Sequence, residues 1–181
     1  FPIKAAVRFE NQAQFHPRKY LLGLAKEITN KGVLIFEQTR AVDIEENGAY
    51  VVTTHEGKKV TADKVIIASH YPFYNKHGMY FARIYSERSY TIAIKAKEKY
   101  LGGMYITAED PSKSIRSHMS DEGELIIIGG EHHKTGQGKD TNAHYEALIA
   151  FAKDYFTVED IPYRWSTQDC ALHWTLYIRY P

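Results

Sequence analysis

The chain has 181 residues and one cysteine, Cys170. That excludes an internal disulfide, and it excludes a zinc or iron–sulfur site built from cysteines of this chain alone. Long apolar runs are missing too: no segment approaches the roughly 18 residues that span a bilayer. No signal peptide is recognisable, so the expectation is a cytoplasmic protein with no membrane partner. Neither sign of charge dominates. Lysines and arginines number 23 against 22 acids, for a formal net charge of +1, which gives no electrostatic basis for binding nucleic acid. No GxGxxG occurs, so the sequence holds no complete dinucleotide-binding unit. The nearest approach to a phosphate loop, Thr135-Gly136-Gln137-Gly138-Lys139, fails: Asp140 stands where Ser or Thr is required, and His133 where the first glycine is required. The GxSxG elbow of many hydrolases is absent, as are internal repeats and low-complexity segments. Phe1 rather than Met opens the chain, and the expectation is a piece of something longer.

What is present is ordinary in bulk, with 44% hydrophobic and 25% charged residues, enough for one good-sized domain or two unequal lobes. Fourteen tyrosines suit either a ligand-lined interior or the solvent edges of strands. The most informative stretch runs from Glu124 to Lys139. Leu125 to Ile128 is a strand-like run of large aliphatics; it ends on Gly129-Gly130, and Glu131, His132, His133 and Lys134 follow. An apolar strand, a glycine gap and then titratable groups is a common way to build a site on a rigid scaffold. A strand running into a solvated polar loop is the other reading.

In chain order, Lys4–Phe9 reads as a strand. His16-Pro17 opens a helix whose face is Leu21, Leu22, Leu24, Ala25 and Ile28, and Asn30-Lys31-Gly32 stops it. Strands follow at 33–36, 41–45, 49–54, 59–61 and 64–68, with Asn47-Gly48 as a hairpin turn. The last run, KVIIA, has the continuous apolar character of a strand covered on both faces. It ends at Ala68-Ser69-His70, where ligands of open α/β sheets bind. From Arg88 the texture becomes that of an antiparallel sheet: strands at 90–97, 104–107, 114–118 and a central one at 125–130, a helix at 140–155, and strand or coil at 163–169.

His132, His133 and His144 invite a metal reading, but adjacent His132 and His133 point to opposite faces of a strand, so they do not both chelate one ion, and no HxxxH or HxH pattern supports them; no metal site is expected. A hydrolase using His133 would need a Ser, Thr or Asp within reach of that ring. Arg88 and Arg116 could each clamp a substrate carboxylate with paired hydrogen bonds, or form cross-strand ion pairs. Their value rises if both point toward the Glu131–Lys134 end.

Taken together, these segments resemble the FAD-dependent oxidoreductase family of D-amino acid oxidase, glycine oxidase and sarcosine oxidase. The similarity rests on FHPRKYLLGLAKEITNKGVLIFEQTRAVDI, VTADKVIIAS, GELIIIGGEHHKTGQG and WSTQD, in that order. GGEHHKTGQG and RWSTQD are most similar to the subgroup with a C-terminal Rieske domain, whose 2Fe-2S cluster would lie outside this chain. The resemblance implies an α+β fold: an antiparallel substrate-domain sheet with a covering helix, plus a helix, strands and β-meander of an incomplete, Rossmann-like FAD-binding domain. It implies residues 1–15 and 71–165 in the substrate-binding domain, 16–70 in the FAD domain and 166–181 as a return segment. In the tail, Leu176 and Arg179 replace the family's Pro and Gly. It further implies Ala41, Ala68 and Ser69 at the cofactor and Glu131, His132 and Lys134 beside the flavin and substrate; His133 between them is a further catalytic candidate, and Arg88 and Arg116 remain substrate-binding candidates on their own chemistry. Full activity would need FAD, a small-molecule substrate and the missing parts of the same parent chain. A self-contained binding module with an enclosed, tyrosine-lined pocket is the rival reading.

Overall fold

Four consecutive large aliphatics in a strand need cover on both faces, and the chain supplies it with neighbouring strands and a helix. The computed structural model describes residues 4–75, 78–138 and 140–172. The chain divides into two units, Phe1–Ile66 and Ile67–Pro181.

The first unit begins with helix α1, Pro17–Asn30. Pro17 occupies its first turn, the His16 ring accepts from the Lys19 N–H, and Gly32 follows its end at φ +84°, as a left-handed position past a helix requires. Strands β1 (Ala41–Glu46), β2 (Tyr50–Thr54) and β3 (Lys59–Ala62) form an antiparallel meander in the order β1-β2-β3, turning at Gly48 and Gly57, both at positive φ. The expected strands at 4–9, 33–36 and 64–68 are absent. A strand needs a partner for its N–H and C=O groups, and none of the described residues pairs with these runs. Their side chains are bare: Leu34 is 76% and Ile66 91% exposed. Helix α1 buries no residue either, leaving Tyr20, Leu21, Leu22 and Leu24 in solvent.

The second unit is a five-stranded antiparallel sheet, ordered β5-β6-β7-β4-β8. Its strands are β4 (Ile84–Ala96), β5 (Tyr105–Ile106), β6 (Lys113–Ser120), β7 (Gly123–Lys134) and β8 (Val158–Leu172), with helix α2, Thr141–Tyr155, before the last. A short 3-10 turn, Tyr80–Ala82, precedes β4. The central position expected for 125–130 is observed, since β7 is the third strand of five. Tyr90, Ile92 and Ile94 of β4, Ile115 of β6 and Ile126 and Ile128 of β7 pack with Leu148 and Ala152 of α2 in one core. Asp140 caps α2 by accepting from the Asn142 N–H. Glu98 accepts from both the backbone and the hydroxyl of Thr157, which hold its carboxyl below the usual range. Of the expected return segment, 166–172 continue β8 along β4, and 173–181, with Leu176 and Arg179, lie outside the described residues, as does Lys139. Among the described residues, no helix is long and apolar enough to cross a membrane.

Tyr100 is nearly buried in this core, with its hydroxyl 3.2 Å from the carbonyls of Gly103 and Ile115. Burial, then the neighbouring Tyr105 and Glu124, push its pKa from 10.0 up to about 12, with the Arg116 guanidinium pulling the other way. A raised folded-state pKa gives stability that is complete below the ordinary value and lost as pH rises through the folded one. We expect urea midpoints to fall between pH 10 and pH 12, with on the order of 2 kcal/mol of the loss absent in Tyr100→Phe. Parallel curves for the two proteins would refute this.

Candidate functional site

The acid, imidazoles and amine at 131–134 are part of β7, not of a loop beyond it. A bulge shapes this end of the strand. Arg88 of β4 faces His133, whereas Tyr90 faces Gly130, so β7 carries one residue more than β4 between those pairs. Glu131 takes the bend at φ +55°, a left-handed conformation that costs a side-chain-bearing residue free energy and marks functional sites more often than ordinary strands. The extra residue changes which side chains face α2. Before it, Ile126 and Ile128 pack on α2; after it, Glu131 and His133 both reach His144 of that helix. His132 turns the other way, 3.3 Å from the carboxylate of exposed Asp110. Opposite faces for the two histidines follow from the strand itself.

Gly129-Gly130 makes the bend possible. Gly130 lies against β6, opposite Lys113, and a Cβ there would sit 2.4 Å from the Ser112 carbonyl oxygen. This close approach lets the Lys113 ammonium reach Glu131 at 3.1 Å, both side chains being largely covered. The other Glu131 oxygen is 3.5 Å from His144 Nδ1. His144 in turn stacks on Tyr90, 4.6 Å between ring centres, and on His133, 4.8 Å. Tyr90 Oη lies 2.9 Å from His133 Nε2, and His133 Nδ1 lies 2.8 Å from the Lys134 carbonyl. The ring's partners are a tyrosine and its neighbour's backbone, not the Ser, Thr or Asp that a hydrolase needs.

Lys134 ends β7, opposite Glu87 of β4. Its ammonium lies 5.9 Å from the centre of the Tyr85 ring. Together with Tyr71, Ser86, Thr135, Gln137 and Gln168, these two residues line an open hollow of about 470 Å³. The hollow holds two tyrosines and is open rather than enclosed. A cation, aromatic faces and several hydroxyl and amide groups there suit a small anionic or zwitterionic ligand.

Arg88 and Arg116 do not converge. Arg88 donates to the Ser166 hydroxyl at 2.8 Å, in register with His133 on one side and Gln168 on the other. Arg116 is exposed, alternates with core residue Ile115 and faces Ile127, which places it on the sheet face away from α2. In the first unit Ala41 opens β1 opposite Thr54, next to an open hollow lined by Gln38, Thr39, Arg40 and His55. Ala68 and Ser69 lie exposed, outside any strand. Two residues of the cluster, Tyr90 and Lys113, were not singled out from sequence, and His144 was weighed only as a metal ligand; the three are 23 to 54 positions from one another in a chain with nine histidines and 14 tyrosines. Among the described residues, no group of three or more His, Cys, Asp or Glu side chains could hold a metal ion.

The second unit is thus an antiparallel sheet backed by one helix, with titratable groups at the end of its central strand. Residues 1–175 match the family described as DAO, FAD dependent oxidoreductase, and the chain belongs to it. It is 44% identical, over 92% of its own length and 33% of the relative's, to a Bacillus subtilis (strain 168) protein named as a Rieske 2Fe-2S iron-sulfur protein, YhfW. It is 26% identical, over 79% of this chain and 34% of the relative, to OrdL of Rhizobium meliloti (strain 1021), named as an oxidoreductase. The chain thus spans about a third of the length of these curated relatives. In fold it is similar to a flavoprotein/dehydrogenase from Cytophaga hutchinsonii, with a TM-score of 0.53 and 17% identity over 85% of this chain and 42% of that one.

Proposed function

We propose that this chain is the substrate-binding portion, with part of the FAD-binding domain, of a longer oxidoreductase that oxidises a C–N bond in a small amine or amino acid. The observation that carries the reading is the hollow beside Lys134, at the end of the bulged strand, in a chain of this family. The second unit, 67–172, then corresponds to the substrate domain, and the meander of the first to the cofactor domain. The name of the Bacillus subtilis relative supports passage of electrons to a Rieske 2Fe-2S centre elsewhere in the longer protein. A free thiol at Cys170 suits the reducing cytoplasm.

The residues present fit one end of FAD. Ala41 is small, and the hollow beside it, with Arg40 and His55 on its wall, leaves space for a flat ring or a phosphate against the start of β1. The sequence contains no glycine-rich pyrophosphate loop, so other residues of the longer protein would hold that part. FAD when bound supplies the redox chemistry, and the protein supplies placement and electrostatics. Lys134 attracts the acid group of the substrate and fixes its orientation against Tyr85. Gln137 and Gln168 offer hydrogen bonds to its polar atoms, and Glu131 and His133 hold the strand end that presents Lys134. Arg88, bound to Ser166, steadies β8 beside Gln168. On this reading the isolated chain does not turn over.

Lys134→Ala in the full-length protein tests the site. A charge that binds ground and transition states alike raises KM with little change in kcat. The expected result is KM for an acid-bearing substrate raised by about 10- to 100-fold, in keeping with loss of one charged contact. Unchanged steady-state constants would remove the hollow from the reaction.

A further inference from the structure

We propose that His133 latches the turn Thr135–Gly138 against the hollow, and that protonation of the stacked His133–His144 pair releases it. The value of such a latch for regulation rests on reading the hollow as the substrate site; the latch itself does not.

The His133 ring is fixed at both nitrogens. A carbonyl oxygen only accepts, so the contact of Nδ1 with the Lys134 oxygen at 2.8 Å places a proton on Nδ1. In the neutral ring Nε2 is then the acceptor, and the Tyr90 hydroxyl, 2.9 Å away, donates to it. Gly138 closes on the same ring: a Cβ there would lie 2.7 Å from Cε1 and 3.0 Å from Nε2, so the turn packs against the imidazole at a distance that only glycine allows. Two backbone bonds complete it, Thr135 N–H to the Ser86 carbonyl at 2.8 Å and Gln137 N–H to the Lys134 carbonyl at 3.1 Å. Thr135 and Gln137 are also walls of the hollow. Movement of the ring therefore moves one side of the hollow.

Charge decides whether the ring stays. The titratable groups around the pair are Arg88 and Tyr90 from β4, Lys113 from β6, Glu131 and Lys134 from β7, and His144 and Tyr145 from α2. The carboxylate in contact with the pair is that of Glu131, and it faces His144. A first proton is accommodated on His144, opposite that carboxylate. A second on His133 meets no carboxylate among the described residues. It sets a cation 4.8 Å from the His144 cation in a near-parallel stack. The turn is held while the pair is neutral and released once both rings carry protons, so its hold weakens on acidification.

Hydrogen exchange of the full-length protein tests this, with rates corrected for the intrinsic pH dependence of the chemistry. In the wild type, protection of the 134–138 segment is expected to fall by about tenfold or more between about pH 8 and about pH 5, while the β6 peptide, 113–120, keeps its protection. His144→Phe keeps a ring in the stack that cannot be charged, and its 134–138 segment should stay protected at both pH values. His144→Gln should likewise lose the pH response, and serves should the Phe variant fail to fold. Equal wild-type protection at both pH values, an equal loss in 113–120, or an undiminished pH response in the His144 variants would each overturn the latch. Turnover and FAD content do not enter the readout, so failure of the substrate-site reading leaves a different signature.

Discussion

Gly130→Val is expected to lower the stability of the full-length protein by about 4 kcal/mol or more, enough to leave much of it unfolded or insoluble, given typical margins of about 5–15 kcal/mol. Two costs add. The φ of +155° at Gly130 is one that L residues with a side chain avoid. The added Cβ would also meet backbone, 2.4 Å from the Ser112 oxygen and 3.2 Å from the Lys113 Cα, and backbone in the middle of a sheet cannot rotate aside as a flexible side chain can. Relief requires β6 and β7 to separate where Lys113 meets Glu131, so the bulge would lose its ion pair together with its geometry. Denaturant midpoints and soluble yield measure the effect. Gly136→Ala is the control: that residue has open space around it and shares only the backbone penalty at φ +82°, about 1 kcal/mol. Similar losses for the two variants would show that close approach at Gly130 is not what matters.

Ile66→Asp is expected to cost the full-length protein about 3 kcal/mol or more and to leave the isolated 181-residue chain unchanged within about 0.5 kcal/mol. In this chain Ile66 is 91% exposed, and replacing an exposed apolar side chain by a charge is ordinarily near neutral. It belongs to a series, however. Leu34, Phe36, Val60 and the Leu21–Leu22 pair of α1 are also bare, and the first unit's fully covered side chains are few, chiefly Ile44 and Thr54. A unit with that little core does not offset the conformational entropy of ordering its backbone. On the proposed function, the remaining two thirds of the longer protein cover these side chains, so an aspartate at 66 would be buried without a partner. Thermal melts of both proteins, each with and without the substitution, separate the two cases.

How much of this was legible follows from where each instruction sits in the chain. Local signals were readable: His16-Pro17 and Gly32 bound α1, Asn47-Gly48 turns β1 into β2, and 140–155 carries the spacing of α2. The central place of Leu125–Ile128 followed from an unbroken aliphatic run. The apolar runs at 33–36 and 64–68 read equally well as strands, yet pairing depends on a neighbour that none of the described residues supplies. At the site, the stretch 131–134 was located but not its form. Two adjacent histidines suggested opposite faces, and that holds; the left-handed turn at Glu131, which turns Glu131 and His133 to the α2 face of the sheet, has no simple sequence signal, because glutamate rarely takes it. Tyr90, Lys113 and His144 come from three other elements. Only the register of β4 and β6 on β7, and the docking of α2, bring them to Glu131 and His133.

The central claim is that this chain holds one part of an FAD cradle whose remainder lies in the longer protein. The most direct measurement is an FAD titration of the isolated chain and of the full-length protein side by side, followed by flavin fluorescence, with circular dichroism to confirm that strands are present in both. The account predicts one-to-one, saturable binding by the full-length protein and none by the isolated chain at the same concentrations. Tight, stoichiometric, yellow binding by the isolated chain would contradict it.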